Sequence, residues 1–153
     1  MHTARLPHFR LAPAPLNQLV ALSNTLREGS LGPALVALVD VRASQLNGCG
    51  YCLDMHARQF LAVDPDLQRL NSVAAWREAS CYSERERAAL QWVESLTLLA
   101  ATQAPQQDFD ALRDHFNDAE IVELTLVAAV INAWNRISVG MRVPVARKPL
   151  APA

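Results

Sequence analysis

The stretch "RASQLNGCGYCLDMH", residues 42–56, reads as the end of one helix and the start of the next. Pro33 suits the first turn of a helix, which is expected to run to about Asn47. Gly48 breaks that helix just before Cys49, and a further helix over 49–62 ends at "VDPD".

The same helical period continues on both sides. Residues 16–28 place Leu16, Leu19, Val20, Leu22 and Leu26 at helical spacing. Residues 66–80 read as short helical pieces carrying Trp76. "SERE", Ser83 to Glu86, has the form of a capping box and opens a helix expected to end near Ala101. "PQQDFDALRDHF" makes a shorter helix, and "NDAE", with Asn117 as cap, opens a last one reaching about Gly140. No alternating run is long enough for a strand, so the fold class is all-α. The chain is expected to be one domain over 1–153, with proline-rich ends at 1–15 and 143–153 as extended arms or frayed tails. Residues 35–48 and 120–133 echo one another, each an apolar helix ending in Leu or Ile, then Asn, then a small residue. A duplicated unit and chance similarity account for this equally well.

A chain of 153 residues, 51% hydrophobic, can bury a proper core without staples. Its net charge of −1, with no long basic stripe, argues against nucleic acid as a partner. The start has no apolar h-region or cleavage site, so no secretory signal is read. The most apolar run, "LTLVAAVINAW", is too short to span a bilayer and is flanked by charge. No membrane association is expected, and the protein should be soluble and cytoplasmic. In a reducing compartment, a C-x-x-C pair plus the single Cys81 points to redox or metal chemistry rather than a disulfide framework.

Cys49 and Cys52 fall in a helix's first turn, where free N–H groups and the helix dipole favour a thiolate. Three apart, the sulfurs share a face and can close a disulfide. His56, one turn beyond Cys52, can take a thiol proton and return one to a leaving oxygen. This set suffices for peroxide reduction through a sulfenic acid that condenses to a disulfide. Its position under His56 favours Cys52 as the attacking thiol, whereas the dipole favours Cys49, and the order stays open. Two other readings share the spacing. One is three ligands of a zinc site, for which Cys81, His2, His8 and His115 offer no paired fourth. The other is small buried cysteines beside an unrelated histidine.

With "WREASCYSERERAALQWVESLT" (76–97) and "AEIVELTLVAAVINAWNRISVG" (119–140), the C-x-x-C-x-x-x-H core resembles the alkylhydroperoxidase AhpD-like family of the carboxymuconolactone decarboxylase superfamily. The likeness covers about residues 16–140. It implies an AhpD-like multi-helical bundle that assembles as a homo-oligomer, whether dimer, trimer or hexamer. It also implies reduction of organic hydroperoxides in antioxidant defence, with a dithiol such as a lipoyl group as reductant. Cys49, Cys52 and His56 fall on the family's catalytic residues, and no metal, haem or flavin is required. Lactone decarboxylation by acid–base residues and a non-enzymatic redox-responsive subunit are the alternatives.

Two positions depart from the family pattern. Ala37 stands where a relay glutamate is usual, and Tyr51 where the founding enzymes carry histidine. Asp40, on the same helix face, reads first as an ordinary solvated aspartate and second as a stand-in acid acting through a water. Glu94 and Glu123, in apolar helices, need partners. Each either approaches the site or pairs with an arginine such as Arg136 or at a subunit interface. Trp76, Trp92 and Trp134 read as core or interface anchors. Asn132 and Asn135 read as caps for buried carbonyls.

Overall fold

A computed structural model gives the architecture, and its described residues are 3–147. The elements run α1 (His8–Leu11), α2 (Pro13–Arg27), α3 (Pro33–Leu46), α4 (Gly50–Val63), α5 (Leu67–Ser72), a 3-10 turn (Val73–Ala75), α6 (Glu84–Thr97), α7 (Leu99–Thr102), α8 (Gln106–Leu112) and α9 (Asp118–Met141). Among the described residues there is no strand, and the all-α expectation holds.

The central helix is α3, which packs against α2, α4, α6 and α9. Leu38, Val39, Val41, Ala43 and Ser44 are fully buried, and Val36, Ala37 and Asp40 nearly so. A helix covered on almost every side has no solvated stripe, which is why its sequence is apolar all round. Helix α9 buries Ile121, Leu124, Ala128, Ile131, Asn135 and Ser138, a stripe at three- and four-residue spacing. It extends beyond the apolar run at both ends, to 24 residues, and by length and composition could cross a bilayer. Instead its stripe lies on α2, α3 and α6 as a core face.

Both long downstream helices begin as their caps dictate. Ser83 and Glu86 form a reciprocal capping box at α6, and Asn117 and Glu120 form another at α9. Helix α6 stops at Thr97 rather than near Ala101. The Thr102 hydroxyl donates to the Ser95 carbonyl at 2.6 Å, satisfying the acceptor that a continuing helix would have used. A separate turn, α7, follows and ends at Gln103 in the left-handed region.

The N-terminal expectation is corrected. Residues 8–11 form α1, and α2 starts at Pro13, ahead of the residue 16 expected. Pro13 and Pro15 lie in the first turn of α2, where a missing N–H breaks no helical bond, so they open the helix rather than mark a tail. Arg5 ties this arm down. Its backbone N–H donates to Met141 O and its guanidinium to Gly140 O, both at 2.9 Å. That places a cation at the C-terminal end of α9, where the helix dipole favours it. Residues 143–147 carry no regular structure, while 1–2 and 148–153 lie outside the described residues.

Candidate active site

The corner between α3 and α4 sets the site. Gly48 adopts φ +64°, in the left-handed region that closes a helix cheaply only with glycine. Around it the amides of Asn47, Gly48 and Cys49 donate to the carbonyls of Ala43, Gln45 and Ser44. The chain thereby reverses in one residue and delivers Cys49 to the N-cap of α4.

Cys49 takes the role usually held by serine or aspartate, its Sγ accepting the Cys52 N–H at 3.3 Å. The two cysteines are paired, with Cα atoms 5.4 Å apart, inside the range a disulfide bridges without backbone movement. Both are 1% exposed.

His56 follows one turn above Cys52 and is buried. Its Nδ1 lies 2.8 Å from Gln59 Oε1 and 3.2 Å from Asp40 Oδ2. The Gln59 carbonyl only accepts, so Nδ1 carries the proton and Nε2 keeps its lone pair. Nε2 is buried and has no hydrogen-bond partner among the described residues. In that tautomer Nε2 is the ring atom available as a base.

Asp40 overturns the reading of a solvated side chain. It is 6% exposed and directly beside His56, with no water needed between them. It lies one helical turn after Ala37, where the family's relay glutamate is expected, and supplies a carboxyl from the same helix. Burial pushes Asp40 up to about 8, with Arg27 acting in the opposite direction. Burial also pushes His56 down to about 4, the Gln59 bond opposing this and the Arg27 charge adding to it. The separation would suit an ion pair, yet desolvation favours the uncharged form of both groups.

A cavity of about 360 Å³ lies over this pair. Asp40, His56, Gln59 and Arg27 are among its polar lining residues, with Ser23, Asn24 and Ser138, and Phe9, Tyr51, Val127 and Trp134 belong to its walls. Neither cysteine lines it, although Tyr51, between them in sequence, and His56 both do.

The remaining acids serve the scaffold. Glu94 accepts from Arg42 Nε and Trp76 Nε1 at 2.7 Å and from Arg77 at 2.8 Å. Burial works to raise its pKa, but the Arg77, Trp76 and Arg42 donors together outweigh this and hold it below the usual value. Glu123 binds the backbone N–H and hydroxyl of Ser30, steadying the α2–α3 connection. Neither pairs with Arg136, which donates to Asn132 O and Oδ1. Among the described residues, no three His, Cys, Asp or Glu side chains are grouped to hold a metal ion.

Three amides brace the corner. Asn47 Nδ2 donates to Asn132 Oδ1 at 3.0 Å, Asn135 Oδ1 at 2.8 Å and Ala43 O at 3.0 Å. Asn135 returns a bond to Ser44 Oγ at 3.1 Å, and Asn132 reaches Thr97 Oγ1. The two asparagines that end the echoed segments, Asn47 and Asn132, therefore meet. Sequence reasoning missed Gln59, Arg27 and the bracing role of Asn47. Gln59 sits three residues after His56 on one helix, a spacing that was available as a signal.

Comparison with known proteins is consistent with this geometry. The sequence profile of the carboxymuconolactone decarboxylase family matches residues 13–95. The uncharacterised protein YdfG of Bacillus subtilis is 31% identical over 137 residues, spanning 90% of this chain and 93% of its own. A solved protein of unknown function from Agrobacterium tumefaciens, described as a candidate antioxidant defence protein AhpD, is 37% identical with a TM-score of 0.91, over 95% of this chain and 100% of its own. An uncharacterised peroxidase-related protein from Silicibacter sp. TM1040 is 27% identical with a TM-score of 0.75, covering 83% of this chain and 68% of that one. On its sequence and its fold alike, the chain belongs to the carboxymuconolactone decarboxylase family, within the AhpD-like group.

Proposed function

We propose that the protein is a thiol peroxidase that reduces organic hydroperoxides through Cys49 and Cys52, with His56 moving protons and Asp40 orienting it. The observation that carries this reading is the placement of His56: Nδ1 lies against Gln59 and Asp40, and Nε2, one turn above Cys52, has no hydrogen-bond partner among the described residues. A decarboxylase site built on acid–base residues alone has no use for two paired cysteines on the same helix turn.

In the reduced enzyme, one thiol loses its proton to His56 Nε2 and the thiolate attacks the terminal oxygen of ROOH. The O–O bond breaks, an S–O bond forms, and the alkoxide leaves as ROH with the proton carried by His56. The resulting sulfenic acid is attacked by the second thiol, which expels water and forms the Cys49–Cys52 disulfide. A dithiol such as a lipoyl group then returns two electrons and two protons, and is itself oxidised to its disulfide. Position beneath His56 favours Cys52 as the attacking thiol, with Cys49 resolving it from the N-cap. A disulfide has no thiolate to attack with, so the reduced form is the one that meets peroxide. The same reading places the protein in the cytoplasm as a homo-oligomer.

The test is to give reduced protein a small excess of cumene hydroperoxide, count thiols with time and map the oxidised pair by mass spectrometry. Rapid joining of Cys49 to Cys52, slowed in His56→Ala, supports the reading. If both thiols stay free, the redox reading fails and acid–base chemistry at Asp40 and His56 takes its place. A disulfide that forms once, without sustained consumption under a dithiol, describes a redox-responsive subunit instead.

A further inference from the structure

The cavity over His56 carries a charge that the proposed reaction does not use. Arg27 ends α2 and lines the cavity together with Asp40 and His56. The helix dipole explains a cation at that end of α2, but not its place on a cavity whose walls are mostly apolar, Val36, Val127, Ile131 and Trp134 among them, with uncharged polar groups at Ser23, Asn24, Gln59 and Ser138. Among the described residues its guanidinium makes one hydrogen bond, a long one of 3.4 Å to Asn24 Oδ1, and no ion pair. This contrasts with Arg42, Arg69, Arg77 and Arg85, each of which has a carboxylate partner.

The other titratable groups on the cavity do not balance it. His8 and His56 bring no negative charge, and Asp40 is held toward its neutral acid by burial. A lone guanidinium in a largely apolar cavity attracts an anion, and its planar fork matches a carboxylate through two parallel hydrogen bonds. The volume, about 360 Å³, is at the small end of ligand pockets and suits a compact ring or short branched chain.

We propose that this cavity binds a small apolar carboxylate, with Arg27 holding the carboxylate and the apolar walls holding the rest. Resting on the peroxidase reading, the preferred substrate is accordingly a carboxylate-bearing organic hydroperoxide, its peroxide end toward His56. Arg27 is then a specificity residue. Its charge also disfavours a proton on His56, so a carboxylate that neutralises it makes His56 a better base when substrate is present.

Binding and turnover are measured separately. Calorimetry on the intact protein compares cumyl alcohol with its para-carboxylated counterpart, neither of which can be reduced as a peroxide. The carboxylate is expected to bind roughly tenfold or more tightly than the neutral alcohol, as a partly buried charge-assisted pair implies. The gap should close in Arg27→Gln and persist in Arg27→Lys, which keeps the charge. Equal binding of the two alcohols, or a gap unmoved by Arg27→Gln, overturns the proposal. So does inorganic phosphate that displaces the carboxylate at equal concentration, since the site would then read charge alone. Turnover of cumene hydroperoxide and its para-carboxylated form completes the test. A binding preference without peroxide consumption sinks the peroxidase reading and leaves the cavity assignment standing. Consumption of both peroxides at equal kcat/KM, with no binding preference, does the reverse.

Discussion

His56 Nδ1 stands 3.2 Å from Asp40 Oδ2, across the contact between α4 and α3. This one separation links the cysteine helix to the most buried helix of the fold. It also supplies a carboxyl on the face where the family's glutamate position is occupied by Ala37. A shorter side chain, starting one turn further along, reaches the same imidazole directly.

Asp40→Asn keeps the shape of the side chain and removes the titrating carboxyl. The rate at which an organic hydroperoxide joins Cys49 to Cys52 is expected to fall roughly ten- to a hundredfold. Stopped-flow thiol loss over a range of pH measures this. Because Asp40 acts through His56, the variant should also change the shape of the pH profile. A wild-type rate with a wild-type profile would reduce Asp40 to a packing residue.

The same pair sets a pH dependence of stability. His56 is lowered to about 4 from 6.5, so between those values the unfolded chain binds the extra proton and stability rises with pH. Asp40 is raised to about 8 from 3.8, so over that wider window the folded chain binds the extra proton and stability falls with pH. The two slopes oppose each other up to about 6.5, and above it only the Asp40 slope remains until the carboxyl ionises near 8. Urea unfolding should therefore show stability declining from pH 6.5 to 8, by at most about 1.4 kcal/mol per unit. Asp40→Asn should flatten that decline, and a decline left intact in the variant would assign it to another group.

How far the sequence carried this picture depended on whether a signal was local. The capping boxes at Ser83 and Asn117, the helix break at Gly48 and the helical period are written within a few residues, and each was legible. Asp40 was not, because telling a buried aspartate from a solvated one needs a polar face to compare with. Helix α3 has none, being covered on nearly every side. Arg27 and Trp134 reach the cavity from helices distant in the chain, and no spacing rule joins them to Cys49. The N-terminal prolines misled in the opposite way, since a first-turn proline looks like a tail until the helix behind it is seen.

Glu94 collects two arginines and a tryptophan in one buried place. Replacing it by glutamine leaves Arg42 and Arg77 without their counter-charge, and should cost about 2–4 kcal/mol. For a chain of this size that is a fall of roughly 10 °C in Tm. The carboxylate's contribution is present above its unfolded value of 4.5 and is lost as pH falls through the lower folded value. The gap in Tm between Glu94→Gln and wild type should thus hold from pH 7 down to about 4.5 and close only as the pH is taken below that. A Tm within about 1 °C of wild type at pH 7 would mean the cluster contributes no more than an exposed ion pair.

Asn47→Ala tests whether the amide cluster holds the cysteines as well as the fold. It removes the donor to Asn132 Oδ1, Asn135 Oδ1 and Ala43 O at the residue before the Gly48 turn. Asn132 Oδ1 keeps Arg136 and Ala43 O keeps the Asn47 N–H, so Asn135 Oδ1 is the carbonyl left without its donor, which should cost about 1–3 kcal/mol. The chemical consequence follows from where the cluster sits. The Cys49 N–H bonds Ser44 O, and Ser44 Oγ accepts from Asn135, so loosening these bonds frees the N-cap cysteine relative to Cys52. Two thiols held less closely have a lower effective concentration, which favours the dithiol and makes the reduction potential less negative. Equilibration against dithiothreitol, read by alkylation of Cys49 and Cys52, gives that potential directly. A destabilised variant with an unchanged potential would confine the cluster to a structural role. A shift toward the dithiol would make Asn47 a positioning residue for the redox pair.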